Sequence, residues 1–392
     1  MSHRYLILGA GRQGTAAAYD LVVRGDAQTI VIADASAEAA KAAAARVNAL
    51  TGRDMVLTER VDVTDVDAVT RLLEPADAAL SAVPYWLNLP ITDAAISVGT
   101  HLADLGGLPE LVHDQLKRDQ AAKNAAVCIV PDCGQVPGTG ANLMAYAVQW
   151  FDEPRDVVLY DGGIPLDPKP PWHYELGFNM DGLTNEYDGE TTYIIDGKPV
   201  QVGCFAVEEY ELVEFGGQFG TLEAFSTNGG TTTAAQTLGP RVRTLKNKTL
   251  RYVGHSAQFK AFRDAGLFEQ DAITVDGAEV VPRRVFHTLI EPRIRAPKGA
   301  RDVVLNRIKA SGRKGGAETA LELDVFVYPD EDLGFTAMQK ATGWHAAIVC
   351  HLMASGEIDH GAQPVEVALD PAGLLDAFRD RGFHVEERVT TP

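Results

Sequence analysis

Long apolar runs are missing from this chain: no stretch reaches the roughly eighteen consecutive residues that a membrane-spanning helix needs. Basic residues are scarce as well, since 35 Lys and Arg against 54 Asp and Glu leave a formal charge of −19. Phosphate-rich partners demand a cationic surface, so neither nucleic acid nor an anionic membrane is expected to bind. Cysteine is limited to Cys128, Cys133, Cys204 and Cys350, without a CxxC pair, and His345 and His351 are wrongly spaced for an HExxH helix. No metal site is therefore expected, and the thiols read as buried or incidental. No internal repeat and no low-complexity segment appears. The opening Met1-Ser2-His3-Arg4 runs into a strand-like segment without a signal-peptide pattern, which makes the cytoplasm the expected location.

What is present suits a metabolic enzyme of more than one domain. The 392 residues exceed one ordinary core, and 46% hydrophobic residues supply enough to bury. Near the start, YLILGAGRQG (5–14) is an apolar run feeding Gly9, Gly11 and Gly14 in GxGxxG spacing, followed by a helical pattern. The first glycine permits the tight turn, the second lets a pyrophosphate approach the backbone, and the third lets helix and strand pack closely. A second apolar run, TIVIAD (29–34), ends in Asp34, twenty residues after the third glycine. An acid there accepts a hydrogen bond from a ribose 2′-hydroxyl and repels a 2′-phosphate, which favours NAD over NADP. Arg12 keeps NADP open, and Asp34 is also placed to cap the next helix.

The alternation goes on, with helices expected over 37–50, 66–73, 87–98 and 109–124 and strands over 55–61, 78–81, 101–104 and 126–130. Strands alternating with helices imply an α/β fold with a doubly wound, parallel sheet of the Rossmann type over residues 1–135. Cofactors sit at the carboxyl ends of such strands. Those ends carry Asp62, Ala82-Val83-Pro84-Tyr85, Asp104 and Asp132, so Gly9, Gly11, Arg12, Gln13, Gly14, Asp34, Asp62, Ala82, Val83, Pro84 and Asp132 form the expected cofactor set. Asp62, just before Thr64 and Asp65, is equally suited to capping a helix.

Beyond about residue 150 the grammar changes. DVVLYDGGIP, ETTYIIDGKPV, GCFAVEEYELVEF, FGTLEAFSTNGG, KTLRYVGH and AETALELDVFVY are strand-like and separated by turn residues. They predict a second, α+β domain over 136–335 with a mostly antiparallel sheet, and helices near 255–265 and 281–290. A C-terminal segment, 336–392, begins with a helix that is apolar on most sides and is expected to return to the first domain.

LGAGRQG (8–14), DLGG (104–107), PDCGQVPG (131–138), GGIPLDPKPP (162–171), EAFSTNGGT (223–231) and KTLRYVGH (248–255) together resemble the saccharopine dehydrogenase-like oxidoreductases over nearly the whole chain. Within that family the chain looks most like the members that oxidise lysine at its ε-carbon. The resemblance implies NAD-dependent oxidative deamination of L-lysine to the 6-semialdehyde, which cyclises, with release of ammonia. Relatives instead form or cleave secondary amines such as saccharopine or carboxynorspermidine. A dinucleotide-sensing protein without turnover is the reading from a different class.

That chemistry needs a neutral amine before hydride leaves, then an acid–base partner for imine hydrolysis. Asp104, His255 and Tyr174 are the expected catalytic groups. Arg251 is expected to hold the substrate carboxylate, with Thr227, Gly230 and Thr231 around the same anion and Glu175 nearby. Arg251 is equally suited to an internal ion pair, and His255 to a scaffolding role. A homodimer or higher homo-oligomer is the expected assembly.

Overall fold

Six strands occupy the first third of the chain: β1 (His3–Leu8), β2 (Ala27–Asp34), β3 (Val56–Arg60), β4 (Ala78–Ser81), β5 (His101–Asp104) and β6 (Cys128–Val130). The computed structural model, which describes residues Ser2 to Thr391, pairs them in parallel in the order β6-β5-β4-β1-β2-β3. Chain order reverses between β1 and β4, the place at the carboxyl ends of a doubly wound sheet where ligands bind in such folds. Strands of this kind are covered on both faces, which is why they read as unbroken apolar runs rather than alternating ones. Tyr5 through Leu8 are all at most 2% exposed.

Local signals set the helices between these strands. Ser36 caps helix Ala37–Thr51 by accepting from the Ala39 amide at 3.2 Å, and left-handed Gly52 ends it. The stretch 109–124, expected as one helix, is two: Pro109–Leu116 and Asp119–Ala125. The Arg118 amide bonds the Gln115 carbonyl three residues back, at 2.9 Å, and this tighter turn stops the first helix.

Ten strands follow: β7 (Glu153–Pro165), β8 (Glu190–Ile195), β9 (Lys198–Gly203), β10 (Glu211–Gly216), β11 (Gly220–Phe225), β12 (Thr244–Tyr252), β13 (Ile273–Val275), β14 (Ala278–Val280), β15 (Asp302–Lys314) and β16 (Ala317–Val327). Their large sheet runs β10-β11-β12-β7-β15-β16 and is antiparallel except for the parallel β12–β7 pair. The β8–β9 hairpin joins it through β12, turning at Asp196-Gly197, both in the left-handed region as an Asp-Gly turn requires. Of the expected strand GCFAVEEYELVEF, Gly203 ends β9 and only Glu211 to Phe215 lie in β10; the part between them curls. Ser226 causes this, its carbonyl accepting from the Phe205 amide at 2.9 Å and its hydroxyl from the Ala206 amide at 3.1 Å.

Two short strands come late. β17 (Gly361–Ala362) adds in parallel to β6, making the first sheet seven-stranded, and β18 (His384–Thr390) pairs antiparallel with β16. The chain divides into one unit of residues 1–146, 330–335 and 339–382 and another of 147–329, 336–338 and 383–392. The apolar helix His345–Ala354 belongs to the first unit, where it lies against β4, β5 and helix Arg12–Arg24. Contact is close at Gly343, where a Cβ would come within 2.8 Å of both Ala16 Cβ and the Gln13 carbonyl.

Candidate functional site

Each glycine of the first turn answers a different steric demand. Gly9 lies at φ +105°, and a Cβ there would meet the Ala82 carbonyl at 2.6 Å. At Gly14 a Cβ would fall 2.0 Å from the Gly9 carbonyl, whereas at Gly11 it would meet nothing within 4 Å. Gly9 and Gly14 thus serve the protein's own packing, while the space above Gly11 is open. Arg12 and Gln13 open helix Arg12–Arg24 directly after Gly11, so the first-turn amides face that space. Asp34 ends β2 with one carboxylate oxygen accepting from the Ala10 amide and the other from the Ser36 amide, each at 2.8 Å. This fixes a carboxylate beside the glycine turn, where a ribose would be read. At the end of β3, Asp62 accepts from the Thr64 amide (3.0 Å) and hydroxyl (2.7 Å), bonds that hold its carboxyl below the usual range. Helix Val66–Leu73 is capped by Asp65 instead.

The loops after β4, β5 and β6 lock together. Asp104 is 1% exposed; one of its oxygens accepts from the Gly106 amide at 2.7 Å and, at 3.5 Å, from the Asp132 amide, and the other accepts from Gln115 Nε2 at 2.7 Å. Burial pushes its carboxyl up, against the pull of these bonds. A Cβ on Gly106 would sit 1.9 Å from an Asp132 oxygen, and one on Gly107 would strike the Tyr85 side chain at 2.8–3.0 Å. The DLGG loop therefore runs between Asp132 on one side and the Ala82-Val83-Pro84-Tyr85 loop on the other. Gln115, which also donates to Thr92 at 2.9 Å, is a positioning group that periodicity alone does not reveal.

His345 ties PDCGQVPG to the C-terminal helix. Its Nδ1 donates to the Cys133 carbonyl at 2.8 Å, and its Nε2 accepts from the Asn142 amide group at 3.3 Å. Burial holds this imidazole down at about 4, so it is neutral in the fold. The unfolded chain takes up a proton near pH 6.5 that the native chain refuses, so stability is full above that pH and falls as pH drops towards 4. His345 contributes on the order of 3 kcal/mol to that loss. His345→Gln is expected to flatten the fall in melting temperature between pH 7 and pH 4.5; a wild-type profile level over that range would refute the assignment.

In the second unit, β12 lines up Asn247, Thr249 and Arg251 on one face, as alternation predicts. Asn247 meets Gly230, whose Cβ would fall 1.6 Å from its oxygen. The Thr249 hydroxyl meets that of Thr227 at 2.7 Å and Glu186 at 3.4 Å. Arg251 bonds Glu186 through Nη2 at 3.1 Å, the Tyr187 hydroxyl through Nε at 2.9 Å and its own strand's Leu250 carbonyl through Nη1 at 2.8 Å. Its guanidinium lies 5.2 Å from the Tyr174 ring centre. Arg251 is thus in an internal ion pair, and the acid is Glu186, whose side chain remains 23% exposed against 5% for the arginine. Burial raises the Glu186 carboxyl, opposed by Arg251.

A hydrogen-bond relay leads from this pair to His255. Tyr187 accepts from Arg251, so its own proton goes to His255 Nε2 at 2.9 Å, which leaves the imidazole proton on Nδ1. Burial, then the Arg251 charge, keeps His255 well below its ordinary value, hence neutral. Tyr174 packs against His255 with ring centres 4.8 Å apart. Glu223, buried, accepts from the Gly254 amide at 3.0 Å and the Ser256 amide at 2.5 Å, anchoring the helix that starts at His255. Thr231 turns away from this group, donating to the Thr192 carbonyl at 2.7 Å. Half-buried Glu175 has its carboxyl raised by burial, against Lys169.

The structure therefore gathers Arg251, Thr227, His255 and Tyr174 around Glu186 and Tyr187, and places Gly230 and Thr231 farther along the β12 face. Glu186 and Tyr187 escaped sequence reasoning because they fall in NEYDGE, a turn-like stretch with no periodic signal. Glu223 had a signal: an acid set between the apolar Leu222 and Ala224 of a strand.

A parallel, doubly wound sheet with a glycine turn and an anchored acid at the end of its second strand defines a dinucleotide-binding domain of the kind dehydrogenases carry. The model for the saccharopine dehydrogenase NADP binding domain matches residues 5–130, and that for the saccharopine dehydrogenase C-terminal domain matches 137–383. The chain belongs to the saccharopine dehydrogenase family. It is 23% identical over 233 residues to the saccharopine dehydrogenase [NADP(+), L-glutamate-forming] of Saccharomyces cerevisiae, an alignment covering 54% of this chain and 48% of that one. The chain thus spans about half the length of the curated relative it matches. The solved apo structure of the histidine-tagged, L-Glu-forming saccharopine dehydrogenase from the same yeast superposes with a TM-score of 0.78 at 17% identity, covering 100% of both chains. No helix among the described residues is long and apolar enough to cross a membrane.

Proposed function

We propose that this protein is a lysine 6-dehydrogenase, which oxidises the ε-amino carbon of L-lysine with NAD and releases ammonia as the 6-semialdehyde forms and cyclises. The observation that carries this reading is the Arg251–Glu186 pair bordered by the Thr227 and Thr249 hydroxyls. Opposite charges side by side match the zwitterionic head of an amino acid: carboxylate to guanidinium, ammonium to the partly exposed carboxylate. Bound NAD would supply the hydride acceptor. Asp34 would hold its ribose hydroxyls and Gly11 would admit its pyrophosphate. The Tyr174 hydroxyl and His255 are the proposed proton-handling groups, His255 acting through the Tyr187 hydroxyl that bonds its Nε2, since a proton handed to the Tyr187 oxygen can be passed on along that bond. Asp104 would act by holding the DLGG loop in place.

Asp34 supports NAD although the family's domain is named for NADP, because an anchored carboxylate repels a 2′-phosphate. Initial rates with L-lysine should therefore be at least about tenfold higher with NAD than with NADP, and Asp34→Ser should narrow that ratio. Glu186→Gln should raise the lysine KM with little change in the KM for NAD. Formation of NADH with L-lysine, with ammonia released in equal amount, is the decisive measurement; faster turnover with NADP would sink the cofactor assignment.

Family membership favours a second reading, in which the nitrogen carries a further carboxylate-bearing arm and the enzyme cleaves or forms a secondary amine of the saccharopine type. Dinucleotide reduction with saccharopine but not with lysine would select it. Tight dinucleotide binding without turnover on either amine would select the sensing protein.

A further inference from the structure

The ribbon β13–β14 belongs to neither large sheet. Every residue from Glu269 to Glu279 is exposed, yet the ribbon is amphipathic. Its register pairs Ile273 with Val280 and Val275 with Ala278, which puts these four side chains on one face. Thr274 and Glu279 pair on the other face, joined by a 2.7 Å hydrogen bond. Ile273 is 50% exposed and Val275 46%. A two-stranded ribbon of three-residue strands is marginal in water unless its apolar face is covered.

Directly after it, helix Pro282–Ile294 shows a matching face. Val285 (37% exposed), Leu289 (57%) and Pro292 follow one another at helical spacing, bordered by exposed Arg284 and Arg293. Because both apolar faces are open in the single chain, the ribbon does not cover its own helix. Their charges are opposite: between Ala265 and Pro282 stand Glu269, Asp271, Asp276 and Glu279 without a single Lys or Arg.

We infer that the ribbon of one copy of this chain docks on the Pro282–Ile294 helix of a second copy, in a two-fold dimer where each acidic ribbon meets the other copy's arginine-bordered stripe. A two-fold axis makes the contact self-complementary and repeats it, so the two apolar faces of each copy are covered together. Opposite charges at the rim fix the register and speed encounter.

Sedimentation velocity at micromolar concentration tests this. The wild type should sediment as a dimer, and Ile273→Asp or Leu289→Glu should each weaken dimerisation by roughly tenfold or more. If either variant is poorly folded, the charge pair decides: Arg284→Glu with Arg293→Glu should weaken the dimer, and adding Asp271→Arg with Asp276→Arg should restore it. All four charged positions are exposed, so melting temperatures should hold. A monomeric wild type, or an oligomer indifferent to both sets of changes, would overturn the inference.

Discussion

Arg251→Ala is expected to cost about 3–5 kcal/mol of unfolding free energy at pH 7.5, because the lost guanidinium leaves a largely enclosed carboxylate and a buried tyrosine hydroxyl without their donor. The lower end is the better expectation, since Glu186 is 23% exposed and meets some water. Burial already raises the Glu186 carboxyl, and without Arg251 it rises further. A folded-state value above the unfolded one favours the native state at low pH, so the deficit of the variant should shrink as pH falls towards 5. Arg251→Ala combined with Glu186→Gln should recover much of the loss at pH 7.5. Urea titrations at both pH values, with the lysine KM measured alongside, separate two roles. If stability stays within ~0.5 kcal/mol while KM rises, Arg251 serves the substrate alone and the ion pair adds nothing to the fold.

Gly14→Ala should cripple dinucleotide binding by a route different from that of Gly11→Ala. The methyl group at position 14 lands 2.0 Å from the Gly9 carbonyl, so the helix must move away from the turn that presents its amides. Overpacking of that kind costs about 1–3 kcal/mol, and dinucleotide affinity and melting temperature should fall together. At position 11 the methyl group meets nothing of the protein. There the melting temperature should hold while affinity drops, since the methyl occupies the space left for pyrophosphate. Calorimetric titration with NAD, paired with thermal unfolding, checks both variants. A Gly11→Ala protein that binds as tightly as wild type would remove the pyrophosphate from that position.

Much of the first unit was legible because its logic is local. Apolar runs of four to eight residues, glycine turns and intervening amphipathic stretches each report on their own segment, and β1 to β6 fall where those signals place them. β17 escaped, since two residues, Gly361 and Ala362, carry no period. β18 escaped because HVEERVT is half-charged and pairs only at an edge. The site divides in the same way. Gly9, Gly11, Gly14 and Asp34 act through a turn that the sequence spells out. The partner of Arg251 does not, for Glu186 lies 65 residues away in sequence and the pairing exists only once helix Met180–Glu186 has docked on β12. His345 shows how spacing rules can mislead by omission. Nothing in GWHAA tells that both ring nitrogens meet partners in segments that precede it by two hundred residues or more.

The order in which the chain is made bears on how it folds. β6 gains its neighbour β17, and helix His345–Ala354 reaches β4 and β5, only from residues beyond 344; β16 likewise waits for β18. A ribosome that has finished β16 therefore holds two sheets whose outer strands still offer unpaired amides and carbonyls, and one buried face without its cover. Neither unit can close before β17 and β18 have been made. Chains stalled or cut before about residue 340 should aggregate rather than yield a free dinucleotide-binding domain, and slow translation of residues 345–390 should lengthen the time that chaperones hold the nascent protein.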